Sequence, residues 1–503
     1  MGWIEGISEE TRPLPVPRAP RAPRRRFASF LRHVRGRRRT LRPVTEEQGN
    51  LRPLFRLAIP VLCEQLLVLA VSMSDHIITG KYLDTPHLAA INSAAYLLWL
   101  SYGIFSFIAI GSTAMVARFV GAGREASARR VVNQSMVVGG GLAVFAAVFW
   151  WLGADAIIGL LRLEGETAEL AGQYMRIVMA GVPFIMLAAV GIACFRGAGD
   201  MVIGMVIMGL VNTVNCLVSW SLVLGLGPLP QLGWRGIAWG TFAGYVVGGL
   251  LVVALLMAGR SGLHLEFRRM KPDFPMIRRL LRVGIPGGLD MMTVIGCQLW
   301  FLSLVNHLGT LAAAAHGLTL RIESTGYIPG AAFQLAATTL AGQFLGAKDP
   351  KRAASSVLTA LFFGGGFMTF MGVLYFVFAS ELPYVFLKSS QTEVAATAAP
   401  LLRIVSLAMP SLAVMMIVAG GLRGAGDTRW PMAISLVGFL GVRIPGTYIL
   451  AFSEVAIPGT SIVFPGFGMG IVGAWIALVV DVNLRALLLG ARFWHGGWKR
   501  VQV

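Results

Sequence analysis

The strongest constraint on this chain is a succession of long, near-continuous apolar runs separated by short polar connections. In lipid every backbone N–H and C=O must be satisfied within the protein, so only helices and closed barrels cross a bilayer. Barrel strands would read as short segments of alternating polarity. The runs here are about twenty residues or longer, which predicts transmembrane helices. We read twelve, the first from about Leu57 to Tyr82 and the last from about Met469 to Arg492. A composition of 56% hydrophobic and 13% charged residues is far more apolar than a water-soluble domain needs. The fold class is therefore an all-α integral membrane protein.

The twelve spans are six repeated once. Arg196-Gly197-Ala198-Gly199-Asp200 returns as Arg423-Gly424-Ala425-Gly426-Asp427, each time directly after a long apolar helix. Around it, Ile59-Pro60 matches Ile285-Pro286, Phe119-Val120-Gly121-Ala122 matches Phe344-Leu345-Gly346-Ala347, and Arg176-Ile177-Val178 matches Arg403-Ile404-Val405. Register held over so many pairs marks an internal duplication. The reading is two pseudo-symmetric six-helix lobes, residues 51–260 and 281–503, joined by a loop over 261–280. An even number of spans per half inserts both halves the same way up, with the pseudo-symmetry axis along the membrane normal.

Basic residues fix the expected orientation. Arg118, Arg124, Arg129 and Arg130 follow span 2, Lys348, Lys351 and Arg352 follow span 8, and Arg260 to Arg282 holds seven bases between the lobes. Alternate connections are poor in bases, so these ends, the inter-lobe loop and both termini are expected in the cytoplasm of an inner (plasma) membrane. Residues 1–50 carry twelve Arg, five Glu and no apolar run. They read as a disordered basic tail without the h-region of a signal peptide. Basic loops against anionic lipid account for the net charge of +19, so membrane lipids and no nucleic acid are the expected partners.

Charge inside a span costs roughly 2.5–3.5 kcal/mol at the helix centre, which makes intramembrane acids candidate functional groups. Span 1 carries Glu64 and Asp75, eleven residues apart and so on one helix face, about 16 Å along the axis. Asp290 repeats Glu64, each four residues after a proline, and both are expected to line a cavity; Asp75 has no acidic counterpart. Asn212 and Asn215 in span 5, with Thr241 in span 6, either glue helices together or complete a cation or proton site with Asp75. Glu323 in span 8, four residues before Tyr327, is either ion-paired or part of a solute site. Asp481 and Arg485, spaced i, i+4, read as a structural ion pair, and Arg443 as a snorkelling or carbonyl-capping residue.

Catalytic and metal chemistry find no support. The histidines lack ligand spacing, Cys63, Cys194, Cys216 and Cys297 lie singly, and no nucleotide-binding or hydrolase motif occurs. Neither a cofactor nor enzymatic activity is expected.

The run from Ile59-Pro60 through Ser74-Asp75-His76, Gly121-Ala122-Gly123, both RGAGD turns, Asn212-Thr213-Val214-Asn215, Leu320-Arg321-Ile322-Glu323-Ser324 and Trp498-Lys499-Arg500 carry a family resemblance. Over residues 51–503 the chain resembles the multidrug and toxic compound extrusion (MATE) transporters of the bacterial DinF-like and NorM-like branch. The resemblance implies two lobes around a cleft open alternately to either side, and export of small organic, often cationic, compounds in exchange for H⁺ or Na⁺. It places Asp75, Asn215 and Thr241 on the family's N-lobe cation site. Ser219 and Ser411 stand where many members carry further aspartates, which favours H⁺ over Na⁺. Glu64, Asp290, Glu323 and Tyr327 are expected to line a substrate cleft of negative potential, in a protein expected to be monomeric. The rival within the same superfamily is a flippase for lipid-linked precursors, which a cationic cleft would favour.

Overall fold

The computed structural model describes residues 43–502 apart from 84, 161–164, 227, 229, 267–269, 388–389 and 457–462. Most of the basic tail, residues 1–42, lies outside the described residues. The first lobe contains α1 (Leu51–Tyr82), α2 (Thr85–Gly121), α3 (Glu125–Leu160), α4 (Gly165–Met179 and Val182–Gly197), α5 (Met201–Leu224) and α6 (Trp234–Met257). The second contains α7 (Phe274–His307), α8 (Thr310–Gly346), α9 (Pro350–Val377), α10 (Thr392–Gly424), α11 (Arg429–Ala451) and α12 (Gly470–His495). A short antiparallel ribbon, β1 (Glu454–Ala456) with β2 (Val463–Pro465), links α11 to α12.

Ten of these helices are long and apolar enough to cross a bilayer, and the two arms of α4, bent by 58°, make an eleventh. The twelfth, α8, carries Arg321, Glu323, Gln334 and Gln343, and it buries much of its length among other helices. The bend in α4 has a local cause. Gly181-Val182-Pro183 interrupts the helix, because Gly181 tolerates the break and Pro183 supplies no N–H to continue the ladder. At the repeated position Ala408-Met409-Pro410 keeps Ala in place of Gly, and α10 runs through its proline unbroken. The second lobe departs from the first at two π-helical turns, Leu361–Gly365 in α9 and Phe439–Arg443 in α11.

Two expected boundaries move. The tail was expected to extend to residue 50, yet Val44–Glu46 forms a 3₁₀ turn docked on α8 and α9. The Val44 N–H donates to Gln343 Oε1 at 2.9 Å, and Arg352 donates to the carbonyl of Thr45 at 3.0 Å. The inter-lobe loop ends at Asp273, whose carboxylate caps α7 by accepting from the Met276 N–H. Asn133 and Gln134 of α3 strap that linker down through bonds to the backbone of His264, Glu266, Lys271 and Asp273. Satisfied backbone replaces the free loop that charge density alone suggests.

The helices converge at the RGAGD turns. Gly199 and Gly426 both adopt φ +85°, the left-handed conformation that glycine takes without strain. Gly197 and Gly424 let the turns seat against α2 and α8. A Cβ on Gly424 would lie 1.9 Å from the Thr338 carbonyl oxygen, and one on Gly197 2.7 Å from that of Thr113.

Candidate functional sites in the first lobe and the central cleft

Inside the first lobe, α1, α2, α4, α5 and α6 line a partly open cavity of about 290 Å³. The sequence-predicted residues Asp75, Asn212, Asn215 and Thr241 all line it, joined by Tyr102, Tyr174 and Tyr245. Asn215 Nδ2 donates to Thr241 Oγ1 at 3.0 Å, and the Tyr174 hydroxyl pairs with the same oxygen at 3.2 Å. Asp75 Oδ1, Asn215 Oδ1 and Asn212 Nδ2 are buried and have no partner among the described residues. A buried polar atom without a partner is costly. Two of the three are oxygens, Asp75 Oδ1 and Asn215 Oδ1, which a proton on the carboxylate or a small cation between them would satisfy, whereas the Asn212 amide is a donor.

Asp75 owes its position to the phase of α1. Leu66, Leu69, Met73 and Ile77 form an exposed apolar stripe, whereas Glu64, Asp75 and Thr79 turn inward. Ser219 has its hydroxyl buried against α6 and is absent from the cavity wall, so Asp75 is the only carboxylate among the lining residues.

A second cavity of about 470 Å³ lies between the lobes, lined from α1, α2, α4, α5 and α6 on one side and α7, α8 and α10 on the other. Val68, Tyr102, Met208 and Tyr245 line both cavities. The hydroxyls of Tyr102 and Tyr245 are bonded to each other at 2.5 Å, so this pair stands in the wall that the cavities share.

Glu64 lines the central cavity, but it does not make it negative. Arg196 of the first RGAGD turn donates to Glu64 Oε1 at 2.5 Å, and Arg423 of the second donates to Asp290 Oδ2. Asp290 is fully buried and absent from the cavity wall. The expectation of a cleft made negative by these acids is thus corrected: each faces the guanidinium of its own lobe's motif. The aspartates of the motifs are tied as well. Asp200 accepts from Ser261 at 2.5 Å with Arg260 at 3.6 Å, and Asp427 pairs with Arg492 at 2.7 Å.

Glu323 and Tyr327 line neither described cavity; Glu323 is half-buried and Tyr327 is 45% exposed. Arg443 does not snorkel. Its Nε lies 2.8 Å from Asp481 Oδ2, which also accepts from Arg485 Nη2 at 2.7 Å, and Phe439 packs against both guanidiniums at 4.7 and 4.2 Å. The π-turn that ends at Arg443 brings its side chain to this fully enclosed cluster. At Ser411 the hydroxyl donates to Asn483 Oδ1 at 2.5 Å, a neutral contact. The tyrosines were missed in the sequence because an aromatic in a span reads first as packing. Only the contacts reveal a shared wall.

The sequence model of the MatE family matches residues 60–221 and again 286–449, beginning in each half on the proline that precedes the buried acid. The chain belongs to the MatE family. Among its MatE relatives, the probable multidrug resistance protein NorM of Thermotoga maritima is 25% identical over 454 residues, 90% of this chain and 93% of that protein. The probable multidrug resistance protein NorM of Rhizobium meliloti is 28% identical over 459 residues, 89% and 93% of the two chains. Among solved structures, a MOP superfamily transporter from Pyrococcus furiosus superposes with a TM-score of 0.80 at 20% identity, covering 89% of this chain and 96% of its own. The outward-facing conformation of a multidrug resistance MATE family transporter gives 0.78 at 21%, covering 88% and 96%. These likenesses show the twelve-helix MATE fold for this multi-pass membrane protein.

Proposed function

We propose that this MatE protein is a secondary active exporter that moves amphipathic organic compounds out of the cell in exchange for inward protons, by alternating access, with Asp75 as the proton carrier. The observation that carries this reading is the Asp75 carboxylate, buried in the wall of a largely apolar cavity, with Oδ1 lacking a partner among the described residues, and separated from the central cleft by the Tyr102–Tyr245 wall. A carboxylate in that setting is costly while charged, so a proton arriving from outside relieves the cost and changes what α1, α5 and α6 hold in common. Asn215 and Thr241 orient the acid's surroundings. A single carboxylate beside amides, hydroxyls and phenols suits H⁺ better than Na⁺, which would gain one full charge and few oxygens. Cargo and proton then need only bind the two states of the lobes with different affinity.

In this reading the basic end faces the cytoplasm of a bacterial inner membrane, with both termini inside, and the chain works as a monomer because one copy supplies every lining residue of both cavities. The test is movement of rhodamine B in proteoliposomes under separately imposed H⁺ and Na⁺ gradients. Asp75→Asn is expected to cut proton-driven movement at least tenfold while leaving thermal unfolding near that of the parent. Undiminished proton-driven movement removes Asp75 from the cycle, and movement driven by Na⁺ alone reassigns the ion.

A further inference from the structure

The two ion pairs at the central cleft present their arginines to the cavity and hide their acids. The side chains of Arg196 and Arg423 are 21% and 22% exposed, against 4% for Glu64 and 0% for Asp290. Among the residues that line the cleft, the formal charges are those of Glu64, Arg196 and Arg423, two positive against one negative. Each pair is therefore a dipole with its positive end toward the space a cargo would occupy.

The donors are also unspent. Each guanidinium has five N–H groups, and the hydrogen bond to its acid uses one Nη; Nε is buried out of a cargo's reach, so the donors open to the cleft are the remaining Nη N–H groups of these partly exposed side chains. Of the other polar groups in the wall, only the neutral amides of Gln65 and Gln334 are also uncommitted among the described residues. Ser106, Thr113 and Thr338 donate to backbone carbonyls, and Tyr102 is bonded to Tyr245. The rest of the wall is largely apolar, with Phe105, Ile110, Met208 and Met291 among its members.

We propose that the floor of the cleft is an oxyanion subsite: the cargo is an amphiphile that presents a carboxylate or phosphate to Arg196 and Arg423, one from each lobe, and lays its apolar body on the cleft wall. Guanidinium forks match planar oxyanions and are weakly hydrated, so they bind such groups at modest desolvation cost. A cargo carrying only positive charge would instead meet the positive ends of both dipoles in a poorly screened space. Because the arginines belong to different lobes, an oxyanion held by both stabilises the arrangement that brings the lobes together there. This assignment deepens the exporter reading and rests on its placing of cargo in the central cleft.

The test uses the purified full chain in neutral detergent with rhodamine B, which bears a carboxylate, and rhodamine B ethyl ester, in which it is masked. Fluorescence anisotropy is expected to show the acid binding at least tenfold tighter than the ester. The double substitution Asp290→Asn with Arg423→Gln removes a whole ion pair and so leaves no buried charge uncompensated; it is expected to abolish that advantage, and Arg423→Lys to keep part of it. Displacement by dodecyl phosphate as well as by soluble carboxylates would extend the site to phosphate-headed lipids, whereas displacement by carboxylates alone would assign it to soluble cargo. Equal or tighter binding of the ester, no binding of either dye, or an advantage that survives in the double variant overturns the proposal. Absence of gradient-driven rhodamine B movement in proteoliposomes would strike the exporter reading and leave the binding result standing.

Discussion

Asp75 and Glu64 leave the same face of α1, yet they are different chemical objects. Glu64 is answered by Arg196, and Asp75 keeps an oxygen without a donor among the described residues. The difference comes from what the neighbouring helices place opposite them: the end of α4 brings a motif arginine to Glu64, while α5 and α6 bring amide, hydroxyl and phenol groups to Asp75. Glycines at this scale are equally position-specific. Gly424→Ala would set a Cβ 1.9 Å from the Thr338 carbonyl oxygen, whereas a Cβ on Gly140 meets nothing within 4 Å. Gly424→Ala should lower stability by roughly 1–3 kcal/mol, the usual cost of overpacking. Gly140→Ala should be neutral or raise it by up to about 1 kcal/mol through helix propensity. Thermal unfolding in detergent followed by intrinsic fluorescence checks both.

Between elements, each RGAGD turn acts as a two-pronged clamp. Its Arg reaches the acid on the first helix of its lobe, and its Asp reaches an Arg at the end of the lobe's sixth helix, Arg260 or Arg492. The motif thus ties first, fourth and sixth helices together where the backbone turns. The second lobe adds the Arg443–Asp481–Arg485 cluster between α11 and α12, with Asp481 fully buried. One acid serves two bases, so the two ways of simplifying the cluster have opposite consequences. Asp481→Asn leaves two buried guanidiniums without a counter-charge and should cost about 3–5 kcal/mol. Arg485→Met leaves a one-to-one Arg443–Asp481 pair and should be close to neutral or stabilising. A melting point of Asp481→Asn at or above that of Arg485→Met would refute this account.

For the whole molecule, the end that carries the RGAGD turns is sealed across the lobes. Gln343 of α8 donates to the Gly197 carbonyl at 3.0 Å, and Arg118 of α2, its counterpart in the duplication, donates to the Ala425 carbonyl at 3.1 Å. Gly121 and Gly346 let α2 and α8 cross there: a Cβ on either would fall 1.9 or 2.1 Å from the carbonyl oxygen of Gln343 or Arg118. Each lobe's motif is held by a side chain of the other. Weakening that exchange with Arg118→Ala and Gln343→Ala should favour opening at the basic end. In a background lacking the native cysteines, a membrane-impermeant thiol reagent added to inverted vesicles should then label Gln334→Cys several-fold faster. An unchanged rate would show that these bonds do not control access.

The fold class and the duplication could be read from the sequence because both are set locally. Apolar length obliges a helix in lipid, and register between two halves is a property of residue order. The same local logic put Asp75, Asn212, Asn215 and Thr241 forward together. It put Glu64 in the cleft wall but missed the partners of Glu64 and Asp290, since nothing within reach along the chain shows that an arginine about 130 residues later will meet each acid; the separations are 132 and 133. What the sequence determined by itself is the number of the helices, their repetition in two halves and which residues do not belong in lipid. Which charges cancel, which side of each pair faces the cleft, and which tyrosines wall one cavity from the other were decided by tertiary packing, because electrostatic partnership depends on distance in space.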